Sequence, residues 1–286
     1  MNPLGDSVRE LTETEARESH DICTLVLARR LSALLDRDPS FLVQGEPLPR
    51  GWHVMLFNPP ARQSQLRPDG AADPGIPLPN LGLPRLMFGG RALTFVSDIP
   101  IGAHVRRLTR CAAVEEKSGR SGRFAIVKVD HRIFVDGATE PALLETSNYV
   151  MRAASSEDDA IGPRQDLHPE PLVGVVASRT IIPDEMLLFR YSAITDNPHR
   201  VHYDYPYASA VEGYPALLVN GSIPGLFLLE MLREVSGRQI TRFSGRNIGP
   251  MFCGEPLRLE VAHAADGWRL RASNAAGMTT FEASSQ

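Results

Sequence analysis

The chain has 286 residues, of which 43% are hydrophobic and 22% are charged, proportions typical of a soluble globular protein with a large core. Its formal net charge of −4 excludes the overall basic surface that binds nucleic acid or an anionic membrane. No apolar run is long enough to span a membrane, and the first residues lack the pattern of a signal peptide. Three distant cysteines form neither a disulfide framework nor a metal-binding spacing, so we expect a cytoplasmic protein.

Two contrasting segments open the chain. Residues 10–37 predict a helix, because acidic residues cluster near its start and apolar residues follow at helical spacing. Residues 58–85 predict a long irregular loop, because seven prolines and three glycines interrupt them. Loops of this length in compact domains usually serve as lids or binding segments.

The middle of the chain has the pattern of antiparallel strands. Alternating and β-rich runs separated by turn residues predict strands at 92–96, 105–115, 124–134 and 142–151. Residues 153–171 lose the apolar pattern and contain three prolines, which predicts a linker between domains.

The second half repeats this scheme. Residues 175–182 predict a strand, and residues 221–236 predict a helix that is apolar around most of its circumference and therefore buried. Turn residues then separate strand candidates at 257–264, 268–274 and 278–283. Pattern alone therefore predicts an α+β protein.

The most informative segment is residues 190–204, which runs from an apolar stretch into polar turn formers. It carries Asp196, Asn197, His199, His202 and Asp204 within nine residues. Histidine can exchange protons near neutral pH, and a neighbouring carboxylate or amide can fix its tautomer. The segment predicts a catalytic loop, and the simpler interpretation is a polar loop with an Asx turn at Asn197.

The order Asp, Asn-Pro and His in this loop resembles the active-site loop of the MaoC-like, (R)-specific enoyl-CoA hydratases and dehydratases. Residues 213–224 are similar to the entry of that family into its long central helix. Short motifs at residues 51–53, 84–91 and 119–122 resemble those of a subgroup of two-domain hydratases that act on the C5 thioesters mesaconyl-C4-CoA and itaconyl-CoA.

The resemblance implies a double hot-dog fold, with two antiparallel sheets that each wrap a central helix. It divides the chain into an N-terminal hot-dog at 1–152, a linker at 153–171 and a C-terminal MaoC-like hot-dog at 172–286. The first unit has no copy of the catalytic segment, so we expect it to contribute substrate-binding surface. The family also implies an acyl-CoA substrate, no cofactor beyond the coenzyme A of that substrate, and a homodimer.

The resemblance implies addition of water to a double bond conjugated to a thioester, with His202 as the catalytic histidine. An ungapped alignment places Asn197 at the position of the family's catalytic Asp and His199 at that of its Asn, whereas a gap assigns the Asp role to Asp196. Asparagine orients water but takes no proton, so the partner of His202 stays open between Asp196 and Asn197. Backbone N–H groups at Gly221 and Ser222 are candidate oxyanion donors, although a plain helix cap explains this segment equally well.

Several further residues are candidates for binding the substrate. A guanidinium can form two parallel hydrogen bonds with a carboxylate or a phosphate, and glycines let a ligand approach the backbone closely. These considerations, with the resemblance, select Phe88, Gly89, Gly90, Arg91, Tyr191 and Arg200. For each arginine, ordinary surface exposure is the simpler interpretation.

Two other histidines, His104 and His131, lie in predicted strands and are expected at exposed positions. The chain has no zinc, P-loop or dinucleotide motif, so no metal site is expected. Two other functions fit the resemblance: a dehydratase of 3-hydroxyacyl thioesters, and a hot-dog protein that binds acyl thioesters without catalysis.

Overall fold

The computed structural model of the protein describes residues 16–73, 75–119, 122–153 and 171–286. Residues 10–15 of the predicted first helix lie outside the described residues, as does nearly all of the predicted linker at 153–171. In the described part of the chain, no helix is long and apolar enough to cross a membrane.

The described residues form ten strands, which pair into one continuous antiparallel sheet. Its order is β1-β3-β4-β5-β2-β7-β10-β9-β8-β6, so each half places its first strand at an outer edge and its second strand at the centre. The strands of the first half are β1 (Arg17–Ile22), β2 (Arg85–Phe95), β3 (His104–Gly119), β4 (Gly122–Val135) and β5 (Leu143–Arg152). Those of the second half are β6 (Val175–Ile181), β7 (Arg242–Asn247), β8 (Leu257–Ala264), β9 (Gly267–Ser273) and β10 (Thr279–Ser285).

The two predicted sheets meet at strands β2 and β7, where residues 90–94 pair antiparallel with residues 242–246. Without this pairing, each strand would expose a row of unpaired backbone groups. The fold is therefore the predicted α+β double hot-dog, with its two halves merged into a single sheet.

In the part of the chain that the structure describes, four α-helices lie against this sheet and its loops: α1 (Leu25–Leu34), α2 (Glu185–Ile194), α3 (Tyr205–Ala210) and α4 (Ile223–Ser236). Side chains cap the two helices that follow the edge strands. Thr24 accepts from the Leu27 N–H at 3.3 Å, and Asp184 accepts from the Leu187 N–H at 2.8 Å, which satisfies donors that have no acceptor within the helix.

The central helix of the second half is α4, which starts with Pro224 in its first turn and ends at Gly237 in the left-handed conformation. Nine of its 14 residues are buried, as its apolar circumference predicts. The described part of the first half has no such helix, because the proline-rich segment between the 3-10 turn Trp52–Met55 and strand β2 cannot sustain one. This differs from the expected pair of central helices.

A buried cluster joins the halves through α4. The indole N–H of Trp52 donates to a carboxylate oxygen of Glu230 at 2.8 Å, and both residues are almost fully buried. Arg37 from the first half and Arg233 from α4 form ion pairs with the same carboxylate. The first half is thus anchored to the central helix of the second.

The sequence predicted most of these elements. The strands at 105–115, 124–134, 142–151 and 175–182 and the last three strands are confirmed, as is the irregular proline-rich segment. The helix at 10–37 is wrong over Arg17–Ile22, which is a strand paired with β3. The expected exposure of His131 is also wrong, because this side chain is only 5% exposed.

Candidate active site

A cleft of about 1300 Å³ lies between the two halves. Its walls come from strands β2 to β5, from the proline-rich segment, and from the loops around α3 and the start of α4. The proline-rich segment is tied to the predicted catalytic loop, because the Arg200 N–H donates to the Asp69 carbonyl at 2.8 Å. The first half therefore encloses the loop that carries the catalytic motif.

His202 is buried in the wall of this cleft, at the end of the 3-10 turn Arg200–His202. Its Nδ1 lies 2.7 Å from the carbonyl oxygen of Leu218. A carbonyl only accepts hydrogen bonds, so Nδ1 carries the proton and Nε2 keeps its lone pair. The Val201 carbonyl accepts from the Leu218 N–H at 2.9 Å, which fixes the two segments side by side.

Burial is the main cause that lowers the pKa of His202 to about 4, with a smaller contribution from His199 and an opposing one from the Leu218 carbonyl. The imidazole is therefore neutral at physiological pH. A neutral imidazole with a free Nε2 is suited to act as a general base.

The predicted partners of His202 line the same cleft. Asn197 is half-buried, and its side-chain oxygen accepts from the His199 N–H at 3.2 Å, the Asx turn that the sequence allowed. Asp196 is exposed and adopts the left-handed conformation with φ at 45°. The His199 ring lies edge-on to that of His202, with centroids 5.7 Å apart, and burial lowers the pKa of His199. All four motif residues line the cleft, with Asn197 the more enclosed of the two candidate partners.

The entrance to α4 forms the next part of the wall. Gly221 and Ser222 directly precede this helix, where backbone N–H groups have no acceptor inside the helix. A Cβ at Gly221 would lie 2.8 Å from the side-chain nitrogen of Asn247, so a side chain here would displace that amide. Asn220 is buried, and neither atom of its side-chain amide has a hydrogen-bond partner among the described residues.

Arg91 connects this helix entrance to the first half. Its guanidinium donates to the Ser222 hydroxyl at 3.1 Å, lies 3.4 Å from Glu145 and stacks over the Phe88 ring at 4.7 Å. Tyr191 is buried and forms a hydrogen bond with Ser222, and burial raises its pKa. Phe88, Arg91 and Tyr191 all line the cleft, as does Gly89.

Two predicted binding residues are engaged elsewhere. A Cβ at Gly90 would lie 2.2 Å from the Gly245 carbonyl, so this glycine allows the pairing of β2 with β7 and is not part of the cleft wall. Arg200 donates to Asp204 at 2.9 Å and to the Pro68 carbonyl at 3.1 Å, and it is also outside the wall. Its position indicates that it holds the proline-rich segment and does not face the ligand.

Comparison with known proteins assigns this architecture to a family. The profile of hydroxyacyl-thioester dehydratase type 2 matches residues 51–253, which include the cleft walls of both halves. This chain belongs to that family. It is also 36% identical over 263 residues to mesaconyl-C(4)-CoA hydratase from Chloroflexus aurantiacus, a match that covers 92% of this chain and 91% of that protein.

Solved structures support the fold of this family member. A MaoC-like dehydratase from Phytophthora capsici superposes with a TM-score of 0.70 at 11% identity, over 97% of this chain and 98% of that one. A conserved hypothetical protein of Mycobacterium tuberculosis with a double hotdog fold gives 0.60 at 14% identity, over 95% of each chain. At these identities the likeness shows the double hot-dog fold alone.

This dehydratase-family chain has a second set of polar cleft residues that the sequence did not single out: His53, Arg107, His131, Glu145 and Tyr149. Although burial alone would raise the pKa of Glu145, Arg91 and His53 hold it well below its usual range. Burial lowers the pKa of His131 to about 4. Four of these residues, Arg107, His131, Glu145 and Tyr149, lie on strands β3 to β5, and their place on the cleft face depends on the register of those strands.

Proposed function

We propose that this chain adds water to a branched, unsaturated C5 dicarboxylyl-CoA, either mesaconyl-C4-CoA or itaconyl-CoA, to give citramalyl-CoA. The observation that carries the proposal is the 36% identity, across both halves, to mesaconyl-C(4)-CoA hydratase. The buried, neutral His202 in a cleft enclosed by both halves supports it with a plausible chemistry.

In the proposed mechanism, Nε2 of His202 takes a proton from the water that attacks the β carbon. Asn197 or Asp196 orients that water, and the α carbon receives a proton. Negative charge develops on the thioester oxygen in between, and the backbone N–H groups of Gly221 and Ser222 stabilise it. The fixed tautomer of His202 supports this division of roles. Nδ1 donates its proton to the Leu218 carbonyl, so Nε2 is the ring nitrogen that keeps a lone pair to accept a proton.

The coenzyme A arm belongs to the substrate, and the proposed chemistry requires no metal or other cofactor. Dialysis against a chelator is therefore expected to leave the hydration rate unchanged. We also propose a cytoplasmic homodimer that serves itaconate degradation. The three free cysteines are consistent with a reducing compartment, and sedimentation of the purified protein tests the dimer.

The two substrate isomers call for different proton movements. Mesaconyl-C4-CoA has its double bond conjugated to the thioester and fits direct hydration. The double bond of itaconyl-CoA is not conjugated to the thioester, so its hydration through the same site passes through a dienolate. Turnover of itaconyl-CoA in deuterated water is then expected to place label in the methyl group of the product. An unlabelled methyl group would exclude the dienolate route.

A substrate panel tests the proposed function. Purified protein is incubated with mesaconyl-C4-CoA, itaconyl-CoA and crotonyl-CoA, and loss of the enoyl-thioester absorbance is combined with mass detection of products. We expect hydration of at least one C5 dicarboxylyl-CoA and a clear preference over crotonyl-CoA. A preference for crotonyl-CoA would favour a 3-hydroxyacyl-thioester dehydratase, and no turnover of any substrate would favour a protein that only binds thioesters.

A further inference from the structure

The sheet of the first half carries a polar floor where a hot-dog sheet ordinarily has apolar core. Cross-strand pairing places His131 of β4 opposite both Thr109 of β3 and Glu145 of β5. Arg107 lies two residues before Thr109 and therefore on the same face of the sheet. We define the polar floor as these four residues together with Arg91 from β2.

The second half shows what this face looks like when a central helix covers it. The residues that strands β8, β9 and β10 turn toward α4 are apolar, and they include Leu259, Val261, Leu270, Ala272 and Phe281. No α-helix of the described first half takes the place of α4 on this face, and the cleft lies there. Four residues of the polar floor therefore line the cleft: Arg91, Arg107, His131 and Glu145.

The charges of the polar floor do not balance. Glu145 is fully engaged, because it accepts from Ser147 at 2.7 Å, lies 3.1 Å from His53 and forms an ion pair with Arg91. The guanidinium of Arg107 therefore has no free carboxylate of the polar floor to pair with. One carboxylate thus faces two guanidinium groups, and the floor has an excess of one positive charge.

Arg107 itself has few protein contacts. Its Nε is buried without a hydrogen-bond partner. None of the described residues forms an ion pair with Arg107, and the negative charges of Glu145 and Asp21 act on it only from farther away. Its remaining contacts are a long hydrogen bond of 3.4 Å to the Phe57 carbonyl and stacking over the Phe57 ring at 4.7 Å. A buried charge without a counter-ion is costly, and a cleft that retains one is suited to an anionic ligand.

We propose that Arg107 binds the free carboxylate of the dicarboxylyl-CoA substrate and selects it over thioesters with an uncharged acyl chain. This inference rests on the proposed function. A planar guanidinium with unengaged N–H groups matches the geometry of a carboxylate. The Nε atom of Arg107 is buried, so the proposed binding group lies in the inner wall of the cleft and not on the outer surface of the protein.

A pair of saturated, unreactive thioesters isolates this interaction. Methylsuccinyl-C4-CoA and isovaleryl-CoA differ only in that the first has a carboxylate where the second has a methyl group. Calorimetry on the wild-type protein is expected to show tighter binding of methylsuccinyl-C4-CoA. Arg107→Gln is expected to weaken that binding about 10²-fold and to leave the affinity for isovaleryl-CoA within about twofold, the scale for a charged partner lost from a buried pair.

The matched control is Arg106→Gln. Arg106 is the neighbouring residue on the same strand but points to the opposite face, where it pairs with Glu18 at 3.3 Å and stacks over Phe134. This variant is expected to bind both thioesters like the wild type. Arg107→Lys keeps the positive charge but loses the paired N–H groups of the guanidinium. The affinity for methylsuccinyl-C4-CoA is therefore expected to fall by an intermediate factor of about ten. Circular dichroism and thermal melting report whether each variant is folded.

The outcomes separate the two proposals. Equal affinity of the wild type for the two thioesters would overturn the inference, as would an Arg107→Gln variant that loses affinity for both equally. If the wild type hydrates mesaconyl-C4-CoA and Arg107→Gln does so equally well, the inference fails and the proposed function stands. If the wild type hydrates neither C5 substrate yet prefers methylsuccinyl-C4-CoA through Arg107, the function fails and the carboxylate site stands.

Discussion

The tautomer of His202 depends on one backbone carbonyl. The Leu218 oxygen accepts from Nδ1, and burial disfavours the protonated ring, so the lone pair on Nε2 is available at neutral pH. His202→Ala removes this base and is expected to lower turnover by about 10²-fold or more, because acid–base groups usually contribute on this scale. The initial rate with mesaconyl-C4-CoA measures the effect.

A surface histidine provides the control for this variant. His104 is exposed, so His104→Ala is expected to keep the wild-type rate. Circular dichroism should show that both variants are folded. A wild-type rate in His202→Ala would remove this residue from the mechanism.

The sequence predicted the catalytic segment but not its electrostatics. Residue types and order, together with the family resemblance, selected His202 and Asn197, and the structure places both in the cleft wall. The acceptor for His202 is a main-chain oxygen 16 residues away, and no side-chain pattern identifies it. The sequence also did not predict that Arg107 and Glu145 line the cleft. Their position on that face depends on strand register, which a single sequence does not fix.

At the scale of elements, the junction of β2 and β7 has a strict steric requirement. Gly90 adopts φ of 138°, and an added Cβ would lie 2.2 Å from the Gly245 carbonyl across the junction. Gly90→Ala is expected to destabilise the protein by at least ~2 kcal/mol, since backbone strain and a backbone clash act together. Urea unfolding followed by circular dichroism measures the loss.

Gly249→Ala is the matched control for the junction. Nothing lies within 4 Å of a Cβ built at Gly249, and its backbone is not in the left-handed region. Its unfolding free energy should stay within about 0.5 kcal/mol of the wild type. Equal stability of the two variants would show that the junction tolerates a side chain and that its glycine has another purpose.

Strand prediction succeeded where one face is apolar and failed at two strands with short or polar patterns. Strands β3, β4 and β5 alternate clearly, so their signal is strong. Strand β1 is a polar edge strand that follows an acidic run, so it resembled a continuing helix. Strand β7 has only one large apolar residue, Phe243, and its place at the centre of the sheet comes from pairing with β2.

At the scale of the whole molecule, two buried histidines make the fold sensitive to mild acid. His131 and His202 have pKa values lowered to about 4 in the folded protein, mainly by burial, against an ordinary value of 6.5. Below pH 6.5 the unfolded chain therefore binds protons that the folded protein excludes, and stability falls with pH. Each histidine is expected to lower the unfolding free energy by about 2 kcal/mol between pH 7 and pH 5.

Urea unfolding at pH 7, 6 and 5 checks this window, which lies above the range where carboxylates titrate in unfolded chains. His131→Gln should remove part of the pH dependence, with His202 and His199 responsible for the rest, and His104→Gln, at an exposed position, should not change it. A wild-type stability that is constant from pH 7 to pH 5 would contradict the burial of neutral imidazoles.

The repeated strand order of the two halves has a consequence for how such a cleft can specialise. In an assembly of two identical hot-dog chains, every substitution appears twice, so an arginine that suits one wall also enters the other. Here both walls are encoded separately in one polypeptide and meet at β2 and β7. The second half carries helix α4 over an apolar sheet face, whereas the first half places charged side chains on the matching face without repeating them in the second.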